Sequence, residues 1–159
     1  MADTMKHEKA LQVYRTACAA LDARQWKYQR DDEALILRFA VRTKDYPVYY
    51  ILIVDEERQM LRLASPMEFK VGPSKRTELA VVTTVATRYL RDGNFDYDMK
   101  TGNLGFRLTA SFRGSEIGTG LVDYFIDWTD AAVDHFNEKF AAVNNGEMTV
   151  EEFIAGERQ

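Results

Sequence analysis

Two hydrophobic periods alternate along the chain, and the switches between them mark its elements. From Thr4 to Arg24, Met5, Ala10, Tyr14, Ala17, Cys18 and Leu21 recur at three- and four-residue spacing. That period predicts an amphipathic helix, with Thr4 placed to cap its start. In "ALILRFAVR" the period falls to two: Leu35, Leu37, Phe39 and Val41 share one face, and Arg38 and Arg42 take the other. "VYYILIV", from Val48 to Val54, is apolar at odd and even positions alike. Such a segment predicts a central strand covered, at least in part, on both faces. After the turn "DEER", "QMLRLAS" supplies a third strand. Short connections make these neighbours antiparallel.

Pro66, Gly72 and Pro73 then break the pattern. Ser74 is placed to cap a second helix, from about Lys75 to Arg91, with a stripe of Leu79, Val82, Val85, Ala86, Tyr89 and Leu90. Lys75 and Arg76 oppose the positive end of that helix and read as solvated cations. "RDGNF" ends it, with Gly93 suited to a left-handed stop. "NFDYD" and "NLGFRLTASF" read as two more strands, joined by "MKTG" with Gly102 in the turn. Leu104, Phe106, Leu108, Ala110 and Phe112 face inward. "RGSEIGTG" is a connector to a long helix, about Gly120 to Asn144, striped by Val122, Phe125, Ile126, Val133, Phe136, Phe140 and Val143. A short helix starts at Thr149. The order α-β-β-β-α-β-β-α(-α) predicts an α+β fold with a single antiparallel sheet of about five strands. Residues 1–159 read as one domain, with 146–159 a short C-terminal helical extension.

Composition narrows the function classes. A chain of 159 residues can bury a substantial core, and 46% hydrophobic with 29% charged residues is ordinary globular composition. The net charge of -4 gives no electrostatic support to a nucleic-acid role. The one cysteine, Cys18, allows no intrachain disulfide and falls on the apolar side of its helix, as a small core residue. A lone thiol fits a reducing compartment. No apolar run approaches the roughly 18 residues of a membrane span. "MADTMKHEKALQ" lacks the apolar core of a signal peptide. The expectation is a soluble, cytoplasmic protein.

Few segments carry recognisable chemistry. "NNGEMTVEEF" resembles the end of a calcium loop, with Gly146 at position 6, Asn145 at 5 and Glu152 at 12. Positions 1 and 3 are then Ala141 and Val143, whose side chains offer no oxygen. Helix chemistry accounts for the same residues: Gly146 as a left-handed stop, Thr149 and Glu152 as a capping box, Phe153 and Ile154 as docking residues. Asp123, Asp127, Asp130, Asp134 and Glu138 line one face of the long helix and read as its solvated side. His7 and His135 are too far apart in sequence for a metal motif. "GSEIGTG" lacks the lysine and the strand–helix context of a phosphate loop. Trp26 and Trp128 read as core or interface anchors. No catalytic, cofactor-binding or metal-binding residue is assigned. Aromatic residues are 12% of the chain, with Tyr46, Tyr49 and Tyr50 clustered in "DYPVYY". If the outer face of that strand is uncovered, it is a partner surface. Tyr46, Tyr49 and Tyr50, with Val82 and Tyr89 of the middle helix, are therefore the candidate protein-binding residues.

The order of these segments resembles the YbjN family, which shares the fold of class I type III secretion chaperones. "WKYQRDDEALILRF" looks like its first strand region and "PVYYILIVDEERQMLRL" like its central hairpin. "PSKRTELAVVTTVATRYLRDGNFDYDMKTGNLGFR" resembles its middle, with a basic-then-acidic helix start and a G-x-F-x-x-D-x-x-x-G-x-hydrophobic hairpin. The resemblance spans roughly residues 4 to 145. It implies a bacterial protein with a sensory or regulatory role. Chaperones of this fold are small acidic dimers that hold secreted partners extended on apolar patches. Neither group offers a catalytic residue to carry over. The resulting expectation is a non-enzymatic protein-binding module, chaperone-like or a regulatory adaptor, acting as a homodimer through the middle helix or a sheet face. It would have a protein partner, no nucleic acid, no membrane span and no cofactor. The alternative is a small-ligand-binding protein or enzyme with a pocket between the sheet and the long C-terminal helix. That pocket would need Asp127, His135, Arg107 and Arg113 to converge.

Overall fold

Helix α1 (Ala2–Ala23) is followed by strands β1 (Gln29–Asp31), β2 (Ile36–Arg42), β3 (Pro47–Asp55) and β4 (Met60–Pro66). A 3-10 turn (Pro73–Lys75) leads into α2 (Arg76–Tyr89), then β5 (Asn94–Tyr97), β6 (Leu104–Ser111), α3 (Thr119–Asn144) and α4 (Val150–Gly156). These elements come from a computed structural model that describes residues 1–157; of the C-terminal extension expected over 146–159, the last two residues lie outside that range. The fold is α+β with one antiparallel sheet of six strands in the order β1-β2-β3-β4-β6-β5. The sixth strand is β1, which sequence periodicity did not predict. It has three residues, two of them exposed, so it carries no alternation of its own. It exists because Asp31 accepts a hydrogen bond from the Ala34 N–H at 2.9 Å, turning the chain back to pair Gln29 with Arg38 and Asp31 with Ile36.

The chain divides into two compact units, Met1–Ala64 with Leu108–Trp128, and Ser65–Arg107 with Thr129–Gln159. In the first unit, β2 and β3 put Leu37 opposite Leu52 and Phe39 opposite Tyr50, and β4 puts Leu63 and Leu61 opposite Leu52 and Val54. All of these side chains are buried. Helix α1 packs against β3, its stripe of Ala10, Val13, Tyr14, Ala17, Cys18 and Leu21 buried. The second unit is built on aromatic rings. Phe95 of β5 meets Phe140 at 4.8 Å and Phe136 at 5.4 Å, both edge-on. Phe153 of α4 stacks on Phe140 at 5.8 Å. Such pairs add about 0.5–1.5 kcal/mol each beyond the area they bury.

Several element ends differ from expectation. Helix α1 begins two residues early, so Thr4 lies inside its first turn and does not cap it. Pro73 starts a 3-10 turn, which displaces the start of α2 to Arg76 and leaves Ser74 without a capping role. Leu90, in extended conformation, ends α2 at Tyr89, so Gly93 (φ +76°) turns the chain into β5 rather than capping the helix. Arg76 is not a solvated cation. Its guanidinium donates to the carbonyls of Val71 (2.9 Å), Met99 (2.7 Å) and Lys100 (2.6 Å) and so ties the turn before β6 to the start of α2. Gly102 makes this possible: it sits at φ +78°, and a Cβ there would lie 2.3 Å from the Val71 carbonyl oxygen.

Candidate protein-binding surface

A central antiparallel strand with one solvated face ordinarily alternates apolar inward with polar outward. In β3 the inward residues Val48, Tyr50, Leu52 and Val54 are buried, as the rule requires. The outward residues are Pro47, Tyr49, Ile51 and Ile53, and Tyr49 is 43% exposed. The strand therefore presents an apolar ridge on the face away from α1, where its cover is only partial. Register sets what flanks the ridge. Ala40 of β2 lies opposite Tyr49 and Ala64 of β4 opposite Ile51, which leaves shallow ground beside the larger side chains. Arg42 lies opposite Pro47 and Arg38 opposite Ile51, both from β2; Arg62 of β4 lies opposite Ile53. All three arginines are exposed.

The five residues expected to bind protein fall in different places. Tyr49 stands on the ridge. Tyr50 is 1% exposed and stacks on Phe39 with centroids 4.8 Å apart and planes within 8°, so it is a core residue of the first unit. Tyr46 is half-buried in the turn before β3, where its backbone carbonyl accepts from the Thr43 hydroxyl. In the second unit Val82 is fully buried in α2, whereas Tyr89 is 46% exposed and Val81, one position before Val82, is 41% exposed. Burial takes Tyr50 and Val82 out of any surface in this structure. The outward side of α2 instead carries Thr77, Val81, Thr84 and Arg88, a helical row with little charge. Of the stripe expected for α2, Leu79, Val82 and Ala86 are buried, whereas Tyr89 is exposed, Leu90 lies past the helix end and Thr83 takes a buried place; periodicity could not separate Val81 from Val82, which are the same residue type.

Polar groups outside the ridge are committed elsewhere. Arg24, at the end of α1, donates to Asp123 at 2.9 Å and Asp127 at 2.8 Å. That contact gives two carboxylates of the expected solvated face a structural role. Tyr14 donates to Asp32 at 2.8 Å, and burial followed by that bond pushes its phenol up to about 12. Burial also raises the Cys18 thiol, against the opposing charge of Arg30, and keeps it protonated. In the second unit Glu157 has only 6% of its side chain exposed and accepts from both His135 (3.0 Å) and Lys139. Burial alone would raise its carboxyl, but these two partners outweigh burial and hold it below the usual carboxylate range. Of the residues the enzyme alternative needs, Asp127 serves Arg24, Arg107 pairs with Asp96 at 3.4 Å and His135 serves Glu157. A shallow groove of about 260 Å³ lies at the start of α1, lined by Asp3, Lys6, Glu56 and Glu57. Thr149 and Glu152 form the expected capping box, accepting from each other's backbone N–H groups, so the calcium-like stretch is a helix start.

This order of elements and this sheet define the type III secretion chaperone-like fold. Residues 18–142 match the model of the YbjN family, described as "Putative bacterial sensory transduction regulator", and the chain belongs to that family. Among solved structures it is similar to YbjN from E. coli, "a putative transcription regulator" (TM-score 0.59, 12% identity, 79% of this chain and 92% of that one). It is equally similar to a chain of the ExsC–ExsE complex (0.58, 14% identity, 81% and 93%) and to one of the HopA1–SchA chaperone–effector complex (0.57, 10% identity, 81% and 95%). No curated protein matches the sequence. At these identities the structural likeness carries the fold alone. Helix α4 lies beyond the region that the family model matches. Among the described residues, no helix is long and apolar enough to cross a membrane.

Proposed function

We propose that the protein is a non-enzymatic binding module, chaperone-like or a regulatory adaptor in the cytoplasm, that holds a protein partner on the outward face of β3. The apolar ridge Pro47–Tyr49–Ile51–Ile53 carries this reading, because water-facing positions of a central strand have no folding reason to be aliphatic. The regulatory description of the family and the chaperone–effector complex among its structural neighbours support it. The outward row of α2, with Val81 and Tyr89, is the seam through which the protein forms a homodimer.

Capture from native lysate tests the reading. Tagged wild-type protein should recover a stoichiometric protein partner, and Ile51→Asp should lose it while keeping the same circular dichroism spectrum. Recovery of the bare protein by both would sink the proposal.

A further inference from the structure

The ridge on β3 is not a plain apolar patch, and its flanks say what kind of chain it suits. The protein as a whole carries a net charge of -4, yet its open sheet face collects arginines. Arg62 stands beside Ile53 on the β4 side. Arg38 stands beside Ile51, and Arg42 beside Pro47, on the β2 side. With strands about 4.8 Å apart and alternate residues about 6.8 Å apart along a strand, the three guanidinium groups flank one strip. Arg38 and Arg42 make no ion pair among the described residues, and Arg62 only senses the charge of Asp55.

Two carboxylates at the ends of the same face have hydrogen-bond partners of their own, and among the described residues neither makes an ion pair with these arginines. Asp55, beyond Ile53, is occupied by the backbone N–H of Arg58 at 2.9 Å and its guanidinium at 3.1 Å. Asp31, opposite Ile36 at the β1 end, is occupied by the Ala34 N–H. Solvated arginines would account for the charge by itself, and an oligomer seam for the isoleucines by themselves. Neither accounts for guanidinium groups on both flanks of one aliphatic strand. Arginine is also suited to a partially desolvated surface, since its planar fork pairs carboxylates bidentately and is weakly hydrated.

We infer that the occupant of this face is an acidic polypeptide segment in which carboxylates are interspersed with aliphatic side chains. The aliphatic residues cover Ile51 and Ile53 above the small neighbours Ala40 and Ala64, and the carboxylates reach Arg38, Arg42 and Arg62. This inference rests on the protein-binding reading of the same face and adds the chemistry of the partner to it.

Fluorescence anisotropy with three labelled peptides of equal length tests it: one of repeated Glu-Leu, one of Lys-Leu and one of Glu-Ser. The Glu-Leu peptide should bind at least tenfold more tightly than either of the others and weaken as salt rises. The double variant Arg38→Glu, Arg62→Glu should lose at least tenfold of that affinity. Arg15→Glu, an exposed arginine on α1 away from the ridge, should lose none. Equal binding of Glu-Leu and Lys-Leu peptides, both abolished by Ile51→Asp, would overturn the acidic preference and leave protein binding standing. Binding of none of the peptides would overturn the inference, and the lysate capture would then decide the broader reading separately. Self-association of the wild type that the arginine double variant abolishes would assign the face to a second copy and also overturn it.

Discussion

Tyr49 and Tyr50 are the same residue one position apart, and they have opposite roles. Tyr50 is 1% exposed and stacked on Phe39, while Tyr49 is 43% exposed. Tyr50→Ala should therefore cost about 3–5 kcal/mol, the range for deleting a buried aromatic side chain. Tyr49→Ala should stay within about 0.5 kcal/mol, as exposed substitutions do. Urea titrations of the two variants check this, and similar midpoints would contradict the assignment of faces. Glu157 makes a second prediction at this scale. Its carboxyl titrates lower in the folded protein than its ordinary value of 4.5, because Lys139 and His135 hydrogen-bond the anion. A group depressed in this way contributes fully above that ordinary value and loses its contribution as pH falls through the folded pKa. Glu157→Gln should thus lower stability at pH 7, by about 1–3 kcal/mol, and by progressively less below about pH 4.5. A variant-to-wild-type difference that stayed constant from pH 7 to pH 3 would refute this.

Helix α4 shows how a seven-residue element is held. Helices this short are not stable alone, so its order derives from its ends and its docking. The capping box at Thr149 and Glu152 closes one end, and Phe153 inserts against Phe136 and Phe140. Glu157 fastens the other end. Thr149→Ala should cost about 1 kcal/mol and raise amide exchange in α4 before it does so in α3. Uniform protection across both helices in that variant would falsify this picture of α4 as a docked, capped segment. The capping box was legible in sequence because its residues are three apart and act locally. The partners of Glu157 were not, because His135 and Lys139 lie on a different helix, brought near by the turn at Gly146 (φ +75°). The Arg76 clamp was hidden for the same reason, since Met99 and Lys100 meet Arg76 only after folding; strand β1 was hidden because three residues, two of them exposed, carry no alternation.

At the scale of the whole molecule, three elements (β4, β6 and α3) contribute residues to both compact units. We propose on that ground that residues 1–159 act as one domain, as the sequence leads one to expect. Thermal unfolding followed by near-ultraviolet and far-ultraviolet circular dichroism should then give coincident, single transitions. Two separated transitions would show that the units unfold independently. The proposed homodimer should scatter light with twice the mass of the chain, and Val81→Glu should return it to the monomer mass. A wild type that remains monomeric across a broad concentration range would remove the dimer.

The sequence by itself determined the class of nearly every element and the inward face of most of them, since a period of two or of 3.6 residues is written in local residue order. It determined the α+β class and the family, and the hairpin turn at Gly102. It could not say which way β3 faces, because Val48 to Val54 is apolar at both parities and the pattern is symmetrical to a one-residue shift. Only pairing with β2 and β4 resolved that symmetry: Phe39 opposite Tyr50 turned Tyr50 inward and left Tyr49, Ile51 and Ile53 outward. The same register brought Arg38, Arg42 and Arg62 to the flanks of one ridge, although Arg42 and Arg62 are twenty residues apart in the chain. Local order sets which residues want burial; long-range strand pairing sets which of the remaining ones stand together on the surface.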